Sequence, residues 1–221
     1  LSRGLGDVYK RQVTHTITTR IPLLTIFLTL GLASANNSLS FWFNSVYKSY
    51  IVFPNTHFLA TLIMIFAILI EDFILFFKHY LSHKIPFIWD IHEFHHSATE
   101  MTILSRDRVA ILEDVLTSFL LAPLMIPASL IIANYISNTS QISIYFYIFY
   151  MAIAEFNAEL GHSSSLIIYP KPISNFIMSP SLHWLHHSNK VNHYNCNFGS
   201  FTPIWDKLFG TYLGEEHIKD I

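Results

Sequence analysis

The sequence predicts an all-α, polytopic membrane protein with about four transmembrane helices and a cytosolic, histidine-rich helical cap. Two observations support this fold class. The 221 residues are 52% hydrophobic and only 13% charged, whereas a soluble domain carries about 25% charged residues. Four long apolar runs divide the chain, and most of its thirteen histidines follow the ends of these runs. The formal charge of −2 leaves no basic surplus to hold a phosphate backbone, so nucleic acid is not an expected partner.

The first twelve residues are not expected to belong to the folded protein. Residues 1–12 are expected to be a sequencing or assembly scar, because the letters DVYKRQ at positions 7–12 resemble the in-frame translation of a sequencing adapter. Residues 13–70 are assigned to an N-terminal transmembrane region, residues 71–213 to the histidine-rich domain and residues 214–221 to a C-terminal tail.

Four apolar runs are the predicted membrane spans. They are Ile21–Ala35, His57–Phe77, Val109–Ile136 and Ile142–Leu160. The last three reach or approach the roughly 20 residues that a helix needs to cross a bilayer. The first is shorter and is compatible with a tilted span or a re-entrant hairpin. Pro123 and Pro127 fall inside the third run and predict a kinked span.

The basic residues predict the orientation of these spans. If Arg20 is cytosolic, alternation places nine of the ten basic residues beyond the scar on the cytosolic side, and only Lys48 on the other. This agrees with the positive-inside rule. The same assignment places every histidine cluster on one face, so the predicted localisation is a multi-pass membrane protein with cytosolic histidine motifs.

Three histidine motifs carry the chemistry: HYLSH ends the second run, HEFHH follows it, and HWLHH lies beyond the fourth run. Helical side chains three or four residues apart share a face, so two imidazoles aim at a common point. The adjacent histidine is turned by about 100° and can serve a second ion. The predicted metal ligands are His79, His83, His92, His95, His96, His162, His183, His186, His187 and His193.

The number of histidines predicts a two-metal site. Neutral imidazole suits iron, zinc, copper and nickel, but ten rings are too many for one ion of four to six ligands. A purely structural role is disfavoured, because buried imidazoles without partners would cost free energy. His57 and His217 lie outside the motifs and are interpreted as core or interface residues. Cys196, the only cysteine, is interpreted as a packing residue.

Three further polar residues are expected to support the ligands. Asp72 shares a helix face with His79, and we expect its carboxylate to accept the free ring N–H of a ligand histidine. Glu159 precedes His162 by about one turn, and Asn197 lies in the tail. The alternative for Asp72 and Glu159 is that their carboxylates pair with Lys78 or with water near the membrane interface.

The order HxxxH, HxxHH, HxxHH, with the first pair at the end of a predicted span, resembles the fatty acid hydroxylase and sterol desaturase superfamily of membrane di-iron oxygenases. Supporting matches are Asp72, seven residues before His79, and the serines Ser97 and Ser188 after the double histidines. The tail NHYNCNFGSFTPIWDKLFGTY also matches, and the resemblance covers about two thirds of the chain. Tyr80 and the segment RDRVAILED depart from the family pattern, which leaves the subfamily and the substrate open.

The resemblance implies that residues 71–213 form a catalytic domain that hydroxylates or desaturates a lipid, such as a fatty acyl chain or a sterol. It implies two iron ions (Fe²⁺/Fe³⁺) on the motif histidines and O2 as co-substrate, with His162 and His193 as less regular ligands. No catalytic side chain is expected beyond the metal ligands. Electrons are expected from a separate NAD(P)H-linked reductase and carrier, since the sequence shows no dinucleotide fingerprint.

Two alternatives remain open at this stage. A histidine-rich metal transporter or storage protein would place its histidines along a path within the spans, whereas these cluster beyond the span ends. A membrane zinc hydrolase would need an HExxH-like motif, but His92 and Glu93 lie in HExHH and two other motifs stay unexplained.

Overall fold

The computed structural model describes residues 57–121, 123–124 and 141–221, and in these residues all regular secondary structure is helical. The longer helices are α1 (His57–Lys84), α2 (Pro86–His96), α3 (residues 111–121) and α4 (Gln141–Gly161). The shorter ones are α5 (Lys171–Ser174), α6 (Pro180–His186) and α7 (Ile204–Phe209). Turns of 3₁₀ helix span Ile103–Asp107, Val191–His193 and Glu215–Asp220. The all-α part of the predicted fold class is confirmed for this part of the chain.

The predicted transmembrane architecture is wrong for the described residues. None of their helices combines the length and the apolar character that crossing a bilayer requires. The physical reason in α1 is charge, because Glu71, Asp72 and Lys78 interrupt the apolar run that its 28 residues would otherwise offer. In α4, Glu155, Asn157 and Glu159 are polar residues within a helix of 21 residues.

Three other sequence assignments fall wholly or partly beyond the described part of the chain. The first predicted span, Ile21–Ala35, lies outside it, as does the expected scar at residues 1–12. Much of the third predicted span, Val109–Ile136, also lies outside it, although residues 111–121 are helical.

A buried apolar cluster supports α6, the helix that carries the last histidine motif. It contains Met178, Leu182, Leu185, Cys196 and Ile218. Burying one such aliphatic side chain contributes about 1.5–3 kcal/mol. The interpretation of Cys196 as a packing residue is confirmed, because its side chain is 7% exposed within this cluster.

The chain after α6 is fastened to α1 through Asp72. The carboxylate of Asp72 accepts hydrogen bonds from the backbone N–H of Phe201 (3.2 Å), the indole N–H of Trp205 (2.9 Å) and the hydroxyl of Thr202 (2.5 Å). A buried carboxylate with several charge-assisted hydrogen bonds is well anchored. This contact fixes the C-terminal segment beside the helix that carries the first histidine motif.

A second carboxylate shapes the same segment internally. Asp206 on α7 accepts the backbone N–H groups of Phe198 (2.8 Å) and Gly199 (2.7 Å) and the hydroxyl of Thr211 (2.6 Å). Any side chain at Gly199 would place a Cβ 2.6 Å from the carbonyl oxygen of Thr202, which explains the glycine. The result is a tight loop that presents the Phe198 carbonyl to the site.

Candidate metal centre

The first two histidine motifs meet because α1 and α2 are joined by a sharp turn. Ile85 has extended backbone dihedrals and Pro86 opens α2, where its missing N–H costs nothing. His79 and His83 lie four residues apart on α1, so their rings share a face. They face the rings of α2, with ring centroids of His83 and His92 4.8 Å apart.

Five histidines form a first group, which we call cluster A. Its members are His79, His83, His92, His96 and His186, whose ligand nitrogens all lie within 4.8 Å of one another. The Nε2 atom of each of the five rings is buried and has no hydrogen-bond partner. A single buried polar atom left without a partner costs about 1–3 kcal/mol. Five such atoms at one point fit a bound metal ion, which would satisfy all of them.

The other ring nitrogens of cluster A are held by acceptors. Nδ1–H of His79 donates to the Phe198 carbonyl (3.0 Å), and Nδ1–H of His186 donates to the Cys196 carbonyl (2.7 Å). A carbonyl oxygen only accepts, so these contacts put the proton on Nδ1 and the lone pair on Nε2. This is the tautomer that a metal-binding histidine needs.

Four further histidines form a second group, cluster B. Its members are His95, His162, His183 and His187. Nε2 of His162 lies 3.0 Å from Nε2 of His183 and 3.3 Å from Nε2 of His95. Nδ1–H of His162 donates to the Ala158 carbonyl (3.1 Å), so its Nε2 also presents a lone pair. Cluster B therefore has the donor set for a second ion.

The two clusters adjoin and share both double-histidine motifs. The rings of His96 and His187, one from each cluster, stack with centroids 4.3 Å apart. Histidines four residues apart belong to the same cluster, as His92 and His96 do. Histidines three apart divide between the clusters, contrary to the sequence expectation that they would aim at a common point. On a helix of 3.6 residues per turn, positions three apart differ by about 60° in one sense and positions four apart by about 40° in the other, so the two spacings direct their rings to adjacent clusters.

Burial favours the neutral form of most imidazoles in the two clusters. Desolvation is the largest cause and lowers the pKa of His96 to about 3 and that of His162 to about 4. Burial also lowers the pKa of His79, His183 and His186 well below the usual value, and neighbouring histidines add to the effect. Neutral rings near pH 7 offer their lone pairs to a cation.

Glu113 supports cluster A and was missed by the sequence analysis. Its side chain on α3 is buried, and Oε1 accepts Nδ1–H of His92 (2.7 Å) and the hydroxyl of Ser82 (3.1 Å). A carboxylate behind a histidine fixes the ring and raises its basicity as a ligand. The available signal was an acid inside the run Val109–Ile136, which had been interpreted as a membrane span.

The three predicted supporting residues have other partners in the structure. Asp72 accepts hydrogen bonds from the C-terminal segment, as described above. Glu159 forms an ion pair with Arg106, which also binds Glu155 at 2.6 Å. Asn197 donates to the carbonyls of Leu182 (3.1 Å) and Leu213 (3.0 Å). These contacts hold the elements that carry the histidines.

The structure brings nine of the ten predicted ligands into clusters A and B and leaves His193 outside them. His193 instead lies with His217 and Asp220 in a separate group. Its Nδ1 is 3.0 Å from the hydroxyl oxygen of Ser188.

Two cavities reach the histidines of the centre. One of about 490 Å³ is lined by His83, His96, His186 and His187 together with Trp89 and Tyr194. A second of about 720 Å³ reaches His96 and His187 and is lined further out by polar residues. Both clusters are therefore open to a small molecule from the side where His96 and His187 stack.

The fold and the site together define a helical protein with two adjoining histidine clusters whose donor atoms could hold metal ions. The chain belongs to the fatty acid hydroxylase family, whose profile matches residues 64–211. The resemblance inferred from the histidine motifs is thereby confirmed.

Three curated relatives are similar to this chain. Alkylglycerol monooxygenase of Caenorhabditis elegans is 24% identical over 156 residues, covering 69% of this chain and 27% of the relative. Ornithine lipid hydroxylase OlsE of Rhizobium tropici is 27% identical, covering 67% of this chain and 41% of the relative. Alkylglycerol monooxygenase of Homo sapiens is 26% identical, covering 67% and 30%.

The chain thus spans between about a quarter and two fifths of the length of these relatives. No solved structure matches the chain significantly.

Proposed function

We propose that this chain is an oxidoreductase that hydroxylates a lipid with O2 at a centre of two iron ions. The observation that carries the proposal is the set of five buried, partnerless Nε2 atoms in cluster A, adjoining a second histidine cluster. Membership of the fatty acid hydroxylase family supports the reaction class. Relatives named as a monooxygenase of alkylglycerols and a hydroxylase of ornithine lipids support a lipid substrate, such as a fatty acyl chain or a sterol.

The reaction explains why a metal centre is needed. Inserting one oxygen atom of O2 into a C–H bond and reducing the other to water consumes two electrons and two protons. Two bound iron ions would supply the O2-reducing and C–H-oxidising power that amino-acid side chains lack. The electron pair is proposed to come from a separate NAD(P)H-linked reductase and a carrier protein.

The residues of the chain have three tasks in this proposal. Clusters A and B offer five and four imidazoles, fewer than the six ligands of octahedral iron, which leaves positions for O2. Glu113 and the carbonyls of Phe198 and Cys196 hold the ligand rings in one tautomer. The cavities beside His96 and His187 admit the substrate.

The first experiment measures metal per chain in protein expressed with iron. We expect about two iron ions in the wild type. His92→Ala with His186→Ala removes two rings of cluster A, and His95→Ala with His183→Ala removes two rings of cluster B. Each double variant should retain about one ion. His57→Ala, which removes a histidine at the start of α1, should retain two.

The second experiment tests the activity on a lipid extract, with an artificial electron donor and ¹⁸O2. A hydroxylated lipid that carries ¹⁸O, and is lost in both double variants, supports the proposal. Zinc that is bound without activity and is lost in the cluster A and B double variants would support the site but leave the metal open, because imidazole sites bind zinc readily. Metal content below one per chain, unchanged in the double variants, would contradict the proposal.

A further inference from the structure

We propose that His193, His217 and Asp220 form a third metal site, which binds a zinc-like divalent cation and pins the C-terminal segment to α6. We call this group the tail site. It is separate from clusters A and B, and its function does not depend on the oxygenase proposal. The sequence predicts His193 as a ligand of the main centre and His217 as a core or interface residue.

The geometry of the tail site suits a small cation. One ligand atom from each of the three residues lies within 4.8 Å of the other two. Nδ1 of His217 is 3.5 Å from Oδ2 of Asp220. Two ligands of a tetrahedral zinc ion, each about 2.1 Å from the metal, are about 3.4 Å apart. The His217–Asp220 pair therefore already has the spacing of two zinc ligands.

His193 is held in a position to complete the site. Its side chain is buried, with only 2% of the residue exposed. Its Nδ1 lies 3.0 Å from the hydroxyl oxygen of Ser188, and the tautomer in which Nδ1–H donates to this oxygen leaves the lone pair on Nε2. The backbone N–H of Lys190 donates to the same hydroxyl (3.2 Å), which fixes the position of the oxygen. A buried imidazole oriented through its second nitrogen is typical of a metal ligand.

The ligand atoms of the tail site indicate which cation it would bind. Two imidazoles and one carboxylate are a common ligand set for zinc, with a fourth position left for water. His217 and Asp220 are partly exposed, which gives the ion a route in from solvent. The carboxylate also offsets part of the charge of the cation.

The location of the tail site gives it a structural consequence. The 3₁₀ turn Glu215–Asp220 contributes Ile218 to the apolar cluster that contains Leu182 and Leu185 of α6. The same α6 carries His183 and His186. Ser188, which orients His193, follows the cluster B residue His187 directly. A cation at the tail site would therefore hold the C-terminal turn against the end of α6.

The test compares zinc content and hydrogen exchange in full-length protein. Chelator-treated wild type, refilled with Zn²⁺, is expected to retain three ions per chain after removal of excess metal. His217→Ala and Asp220→Asn are expected to retain two, and His57→Ala three. Zn²⁺ should slow amide exchange at residues 215–221 at least tenfold in the wild type. The two tail-site variants should show no such slowing.

The outcomes separate this site from the main centre. Both tail-site substitutions change partly exposed side chains, so the variants are expected to fold. If they bind as much zinc as the wild type and show the same zinc-dependent exchange, the tail site is overturned. Loss of ions only in the cluster A and B double variants would have the same meaning. Iron binding and lipid oxidation are read out independently of both results.

Discussion

At the scale of single residues, Glu113 orients the ring of His92, a proposed metal ligand, through a hydrogen bond to its Nδ1. Its carboxylate is one of the few acids buried in the described residues, and it contacts His92 through Oε1. A histidine whose Nδ1–H donates to a carboxylate is a stronger base at Nε2 than one that donates to water. The identity of residue 113 should therefore control how tightly cluster A binds its ion.

We expect Glu113→Gln to weaken metal binding in cluster A by about 10–100-fold, the usual effect of losing such a partner. The amide keeps the size of the side chain but removes its charge. Competition with a chromophoric chelator would measure the affinity. The neighbouring Asp114→Asn, whose carboxylate pairs with Lys78 near the surface, is the matched control and should change the affinity little. Equal affinities of the Glu113 variant and the wild type would contradict this role.

The ligand histidines could be predicted from sequence because their spacing is local. Pairs such as His79 and His83 lie on one helical turn, where the period of the helix alone decides which rings meet. Glu113 is 21 residues from His92, and their contact depends on how α3 packs against α2. His193 shows that position in the sequence can also mislead. It lies close to the third histidine motif along the chain, but the fold places it with His217.

At the scale of elements, the histidine-bearing helices are held together by buried carboxylates. Asp72 joins α1 to the segment around α7 through hydrogen bonds from three residues. The sequence predicts the helix and expects Asp72 to accept the ring N–H of a ligand histidine, whereas the donors in the structure are Phe201, Thr202 and Trp205. The donors lie about 130 residues further along the chain, where no helical periodicity links them to α1.

Substituting Asp72 by Ala should destabilise the fold by about 3–5 kcal/mol, because it leaves several buried donors without an acceptor. Urea unfolding of metal-free protein would measure the loss. Asp90→Ala changes an exposed acid on α2 and should alter the free energy of unfolding by less than about 0.5 kcal/mol. A destabilisation of Asp72→Ala no larger than that of the control would show that the anchor is unimportant.

The charged residues inside the predicted helices have partners that the hydrophobic pattern does not reveal. The apolar runs at His57–Phe77 and Ile142–Leu160 do form helices. Their acids, however, are engaged in contacts within the protein. Glu71 on α1 accepts a hydrogen bond from the hydroxyl of Tyr147 on α4 (3.1 Å), and Glu159 binds Arg106. The average hydrophobicity of a run predicts a helix, but it does not predict which residues pair with the charged side chains of that helix.

At the scale of the whole molecule, the centre joins distant parts of the sequence. Cluster A alone combines residues from α1, α2 and α6. Bound ions therefore act as cross-links between these elements, and the free energy of metal binding adds to the stability of the folded state. In the metal-free protein the same rings instead carry the cost of buried, unpaired nitrogens.

We expect removal of metal by a chelator to lower the free energy of unfolding by at least about 2.7 kcal/mol per site, the value for an ion present at 100 times its dissociation constant. Thermal and urea unfolding of holo and chelator-treated protein would measure the difference. The double variant His92→Ala with His186→Ala should lose only part of this stabilisation, because cluster B remains intact. If holo and metal-free wild type unfolded alike, the histidines would be packing without a bound ion. The buried, partnerless Nε2 atoms of cluster A argue against that result, since a shared cation would satisfy all five at once.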